Sequence, residues 1–196
     1  WAKSFDIIVI FSPLKQHAEQ NLKRFTNELD DYKGVLVDSD GERDIAKLKK
    51  HVKEKVIFSS TYKSNDVICE LLNFKLKNKK VGIIVDEYHN LCMDNINNVE
   101  DNFNKIFVKD YNYLFISATP KVYDEINDEY INTHKITGDI AYSYDFRKAI
   151  NNNYICDYEV YVPNIKEHSK NTEAICEYLN IKTDDIKQND LKARFL

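Results

Sequence analysis

The sequence predicts an α/β fold, a doubly wound, mainly parallel sheet with helices on both faces. Three observations carry that expectation. Short apolar runs rich in β-branched residues recur up to Ile116, each of the kind that forms a strand buried on both faces. Segments with apolar residues every three or four positions lie between them. Polar residues follow directly on the strand candidates, at the edge where open α/β sheets take their ligands.

Taken in order, Phe5 to Phe11 is the first strand candidate, broken by Ser12-Pro13. The spacing of Leu14, Ala18, Leu22, Phe25 and Leu29 predicts a helix over 14–29, with Pro13 suited to its start. A short strand over 34–38, a polar turn and a helix over 43–52 come next. Val56-Ile-Phe58 gives another strand, ending in Ser59-Ser60-Thr61-Tyr62-Lys63-Ser64. Hydroxyls after a strand either cap the next helix or meet a ligand, and the two roles are compatible. A helix over 66–77 turns Val67, Ile68, Leu71, Leu72 and Phe74 inward; the basic cluster Lys75, Lys77, Lys79 and Lys80 suits its C-terminal dipole.

Val81-Gly-Ile-Ile-Val85 is the strand the rest is organised around, because Asp86 and Glu87 follow it at once. Two acids at such an edge suit magnesium and water: Asp86 to hold Mg²⁺ through a water, Glu87 to orient or deprotonate an attacking water. Residues 93–100 read as a loop, and Val99, Phe103, Ile106 and Phe107 as a helix. Tyr113 to Ile116 is a last strand ending in Ser117-Ala118-Thr119-Pro120. Signals then weaken until a helix near 142–150, a strand near 153–160, and a polar, mostly helical stretch over 166–196.

Composition narrows the function classes. The 196 residues suffice for one domain with a sizeable core, and 43% apolar with 31% charged residues argues against disorder. No run is long enough to span a bilayer and no signal-peptide pattern opens the chain, so no membrane partner is expected. A net charge of −4 makes any nucleic-acid contact a local one. Cys69, Cys92, Cys156 and Cys176 lack C-x-x-C spacing and predict reduced, mostly buried thiols, with an intracellular location (cytoplasm, nucleus or virion). Four glycines and no G-K-[ST] leave no phosphate-cradling loop in the sequence.

Asp86-Glu87-Tyr88-His89 resembles the D-E-x-H box of superfamily 2 helicases and translocases, of the DEAD/DEAH-like kind. Ser117-Ala118-Thr119-Pro120 is similar to the S-A-T motif of the same proteins. Pro13-Leu-Lys15-Gln-His-Ala18-Glu-Gln20 has the spacing of their P-T-R-E-L-A-x-Q, and Thr61 sits in an S-T-Y-x-S-like turn. Residues 149–158 look like the A-I-x-x-x-Y-[IL]-x-D-Y stretch that follows S-A-T, so the resemblance covers roughly 5–163. It implies an incomplete first RecA-like motor domain over 1–163, without its P-loop part, and a helical linker over 164–196 toward an absent second RecA-like domain. It implies ATP and Mg as cofactors, DNA or RNA as partner, and coupling of ATP hydrolysis to unwinding or movement. Glu87, Asp86 and His89 would be catalytic, Ser117 and Thr119 would couple, and Ser12, Pro13, Lys15 and Thr61 would contact nucleic acid. The 196 residues alone are expected to be inactive. A motor subunit of a nuclease or transcription complex and a non-catalytic helicase-like scaffold are the alternatives.

Overall fold

The computed structural model describes residues 1–74, 76, 78–91, 96–120, 123–126, 129–132 and 134–157. The expected linker over 164–196, Cys92, Cys176 and the last three residues of the strand near 153–160 lie outside them. Among the described residues, no helix is long and apolar enough to cross a membrane. Two compact units are formed, residues 1–141 and 142–196.

Five strands build the sheet of the first unit: β1 (Ile7–Ser12), β2 (Lys33–Val37), β3 (Val56–Thr61), β4 (Val81–Asp86) and β5 (Asn112–Ile116). Their order is β2-β3-β1-β4-β5, and every neighbouring pair is parallel. Parallel neighbours need crossovers, supplied by α1 (Lys15–Glu28), α2 (Ile45–His51), α3 (Asn65–Asn73) and α4 (Asn102–Phe107). The chain steps one way from β1 to β2 and the other way in all later crossovers. With right-handed crossovers that reversal sends α1 to one face and α2, α3 and α4 to the other.

The core divides accordingly. On the α1 side Ile8, Ile10, Ile57 and Ile84 pack with Leu29 and Tyr32, flanked by Leu22 and Phe25. On the other side Ile7, Val9, Phe11, Phe58, Ile83 and Val85 pack with Leu48, Ile68, Leu71, Phe103 and Ile106. β1 and β3 are therefore buried throughout, as their apolar runs predict, and the doubly wound α/β fold is the one observed. Gly82 lies beneath the Phe5 ring, where an added Cβ would come within 2.7 Å of a ring carbon. A side chain at that point of β4 would force the Phe5 ring to shift.

Some boundaries differ from the sequence reading. Leu14 is extended and exposed, so the stripe of α1 begins at the buried Ala18. α3 stops at Asn73 and leaves Phe74 exposed, with the Lys49 ammonium 4.9 Å from its ring centroid. Past Pro120 an antiparallel hairpin, β6 (Tyr123–Ile126) and β7 (Glu129–Asn132), and a short helix α5 (His134–Thr137) occupy a stretch without clear signals.

In the second unit, α6 (Phe146–Asn151) is capped by Asp145, which accepts from the Lys148 N–H. Tyr142 stacks on Tyr144, and Tyr144 meets Tyr154 edge-on. Residues 154–157 are not strand. Cys69 is buried, as expected of these thiols, but Cys156 is exposed.

Candidate functional site

Register aligns the strand ends along one edge. Ser12 is level with Thr61, Phe11 with Val85, Val37 with Ser60, and Asp86 with Ile116. Across the carboxyl edge the row therefore reads Asp38, Thr61, Ser12, Asp86-Glu87 and Ser117. Ser12, Thr61, Asp86, Glu87 and Ser117, all named from the sequence, thus lie along one edge.

The β2–β3–β1 end is closed. Ser12 and Thr61 are buried. The Thr61 hydroxyl donates to Ser64 Oγ at 3.2 Å, and Arg43 Nη1 donates to the same oxygen at 2.9 Å. Neither Thr61 nor Ser64 caps a helix through its side chain. Asp38 is fully buried; its Oδ1 accepts from the backbone N–H groups of Asp40 and Gly41, while Oδ2 has no partner. Lys15 is exposed and held 2.7 Å from Asp40 Oδ2. That hydrogen bond raises the Lys15 pKa and lowers that of Asp40. Pro13 is half-buried beside it.

The β4–β5 end is open and cross-linked. The Asp86 carboxylate accepts from Asn21 Nδ2 at 2.7 Å, and its backbone carbonyl accepts from the Tyr62 hydroxyl at 2.5 Å. Burial, then the charges of Asp86 and Glu87, push the Tyr62 phenol well above its ordinary pKa. It stays a neutral donor.

Glu87 follows with φ of 53° and ψ of 46°, the left-handed region. There Cβ crowds the following carbonyl, at a cost of about 1–2 kcal/mol for a residue that is not glycine. The bend turns the chain off β4 into a short 3-10 turn, Tyr88–Asn90.

The proton on His89 can be placed. Asn90 Nδ2 donates to the Glu87 carbonyl at 3.1 Å, which fixes the orientation of that amide. The same nitrogen lies 3.3 Å from His89 Nε2, so Nε2 is the acceptor and Nδ1 carries the hydrogen. Nδ1 lies 2.7 Å from Ser117 Oγ, which also accepts from the Thr119 N–H at 3.0 Å. Thr119 Oγ1 is 3.4 Å from Nδ1. Glu87 Oε2 also approaches Nδ1, at 3.3 Å, yet makes no hydrogen bond of its own. The two observations agree once the single Nδ1 hydrogen is given to Ser117, the nearer oxygen. The oxygen of Glu87 is thus buried and unbonded, 3.3 Å from the imidazole.

The structure brings Asp86, Glu87, His89, Ser117 and Thr119 into one group, with Ser12 joined to it through Asn21. Thr61, Pro13 and Lys15 belong to the other end. Asn21, Tyr62 and Asn90 were not foreseen as site residues. For Asn21 the available signal was a polar residue three positions after Ala18, on the inward face of α1. The donor set of Asp86 and Glu87 fits a hard divalent cation that keeps most of its waters. Among the described residues no three acidic, histidine or cysteine side chains converge to form an all-protein metal cage.

A family model described as the Type III restriction enzyme, res subunit, matches residues 2–122, a span containing β1 to β5 and every residue of both ends. Among solved structures, a nuclease-deletion mutant of the Type ISP restriction-modification enzyme LlaGI, in complex with a DNA substrate mimic, superposes with a TM-score of 0.54 at 18% identity. The match covers 75% of this chain and 14% of that one. No curated protein matches the sequence.

Proposed function

The chain belongs to the family of Type III restriction enzyme res subunits, helicase-like proteins of superfamily 2, and from that premise we propose that it forms part of an ATP-driven DNA translocase. The observation that carries this reading is the bridge from β4 to β5: Asp86 and Glu87 at one strand end, joined through His89 to Ser117 at the next. A scaffold without turnover has no need of two acids at one strand end, the second of them on a strained backbone. DNA, rather than RNA, is favoured by the restriction enzymes of the family description and by the DNA substrate mimic held by the LlaGI mutant.

Bound Mg-ATP would supply the phosphoanhydride and the positive charge that makes its terminal phosphoryl group transferable. Asp86 would hold the metal through a water. Glu87 would orient the attacking water and take its proton at its carboxylate. His89 Nδ1–H, Ser117 and Thr119 would transmit a change at Glu87 to β5 and the chain beyond it. Lys15, held 2.7 Å from Asp40 Oδ2, would meet a DNA phosphate by exchanging that carboxylate for another anion. Ser12, Pro13 and Thr61 would shape the backbone of that contact more than make it, because two of them are buried.

A phosphate-binding lysine loop and transition-state arginines are required as well, and no G-K-[ST] occurs in these 196 residues. We therefore place those groups, and a second RecA-like domain, in the remainder of the protein. The test is ATP turnover by the full-length protein without nucleic acid, with duplex DNA and with RNA. Stimulation by DNA is expected; turnover indifferent to both polymers contradicts the proposal. Displacement of a paired strand separates a helicase from a translocating motor of a restriction enzyme, for which no displacement is expected.

A further inference from the structure

Asn21 belongs to none of the motifs that carry the resemblance, yet it is the side chain bonded to the Asp86 carboxylate. Its Nδ2 lies 2.7 Å from Asp86 Oδ2 and 3.1 Å from Ser12 Oγ. An amide nitrogen has two hydrogens and no lone pair to offer, so it donates in both contacts. The amide is anchored from the helix. Ala18, one turn earlier on α1, is fully buried, and its carbonyl accepts from the buried Ser59 hydroxyl of β3 at 2.7 Å. α1 is thus pinned to β3 while Asn21 reaches the ends of β1 and β4, neighbouring strands in the sheet.

Three consequences follow for Asp86. Rotation of the carboxylate is restricted by a donor on one oxygen, while the Tyr62 hydroxyl holds the backbone carbonyl. Oδ1 makes no hydrogen bond among the described residues and remains open to a ligand. The donor is neutral, so it orients the carboxylate without cancelling the charge a cation needs, as a lysine would.

We propose that Asn21 is a positioning residue that holds Asp86 with Oδ1 presented to a divalent cation and ties that orientation to the end of β1. The inference rests on the proposed role of Asp86 in holding magnesium. It assigns α1 a part in metal handling beside its place next to the DNA-contact turn.

The experiment measures binding of a fluorescent ATP analogue to the full-length protein across a magnesium titration and in EDTA. Wild type is compared with Asn21→Ala and the isosteric Asn21→Asp, which sets acceptor against acceptor. Loss of a side chain that orients a metal ligand costs about 10–100-fold in metal affinity. The magnesium concentration for half-maximal binding is therefore expected to rise about tenfold in Asn21→Ala and further in Asn21→Asp, with binding in EDTA as in wild type. An unchanged magnesium requirement overturns the inference. So does weakening of equal size with and without magnesium, which would make Asn21 a packing residue. If wild-type binding itself ignores magnesium, the metal role of Asp86 fails and takes the inference with it.

Discussion

The two ends of the carboxyl edge are built from similar residues and differ in state. At the β2–β3–β1 end, Ser12, Asp38, Thr61 and Ser64 are all buried and hydrogen-bonded, with Asp38 Oδ2 alone left over. At the β4–β5 end, Asp86, Glu87 and His89 are half-buried, one carboxylate oxygen is left without a hydrogen bond, and the backbone is strained at Glu87. Burial with satisfied partners fixes a fold. Partial exposure, an unbonded acceptor and strain at one residue are what a reacting site retains. The difference teaches that motif membership alone does not locate a candidate site: hydroxyls at both ends match motifs and each end holds one buried, unbonded carboxylate oxygen, Asp38 Oδ2 and Glu87 Oε2, but only the β4–β5 end joins it to partial exposure and a strained backbone.

Substitutions can sharpen or break that contrast. The largest effect should come at the open end. His89→Ala removes the link between β4 and β5, and coupling of this kind is typically about 5–150-fold. DNA-stimulated turnover should fall by that order with the unfolding midpoint unchanged; a matching loss of stability would make the imidazole structural.

Next is Tyr62→Phe, which strips the partner from the Asp86 carbonyl and should cost about 1–2 kcal/mol in denaturant unfolding. It also has a pH signature. Burial raises the Tyr62 pKa in the folded state, so stability is intact below the ordinary tyrosine value of about 10 and is lost as pH rises above it. The phenylalanine variant should lose less stability than wild type between about pH 10 and pH 11. Equal losses would remove Tyr62 from the account.

At the closed end, Ser59→Ala loses one buried hydrogen bond to the Ala18 carbonyl. A loss of about 1 kcal/mol is expected with turnover retained; a large fall in turnover at unchanged stability would mean that chemistry extends to this end. The smallest effect belongs to Lys15→Met, whose ion pair with Asp40 is exposed on both sides. Stability should not change measurably. The slope of log DNA affinity against log salt should fall by about one, and no change in slope would remove Lys15 from the contact.

The sheet was legible because its strands are buried on both faces, which forces continuous runs such as Ile7 to Phe11. The hairpin β6–β7 was not. Tyr123-Asp-Glu-Ile and Glu-Tyr-Ile-Asn132 are short and rich in charge, without the alternation that marks a half-buried strand. At the site, Asp86 and Glu87 could be read as acids at a strand end, while His89, Ser117 and Thr119 were named by the resemblance of Asp86-Glu87-Tyr88-His89 and Ser117-Ala118-Thr119-Pro120 to superfamily 2 motifs. Asn21 could not, since its partner Asp86 lies 65 positions away and only the packing of α1 brings them together. Asn90 required the geometry of a single turn, in which a left-handed residue lets one amide reach both a carbonyl and an imidazole.

The most direct test of where the chemistry lies is paired measurement of Mg-ATP affinity and DNA-stimulated turnover in full-length Glu87→Gln. The amide keeps the shape of the side chain but cannot accept a proton. Turnover should fall by about 10²–10⁴ while ATP affinity stays at the wild-type level. Turnover equal to wild type would reduce Glu87 to a strand-end carboxylate and contradict the account.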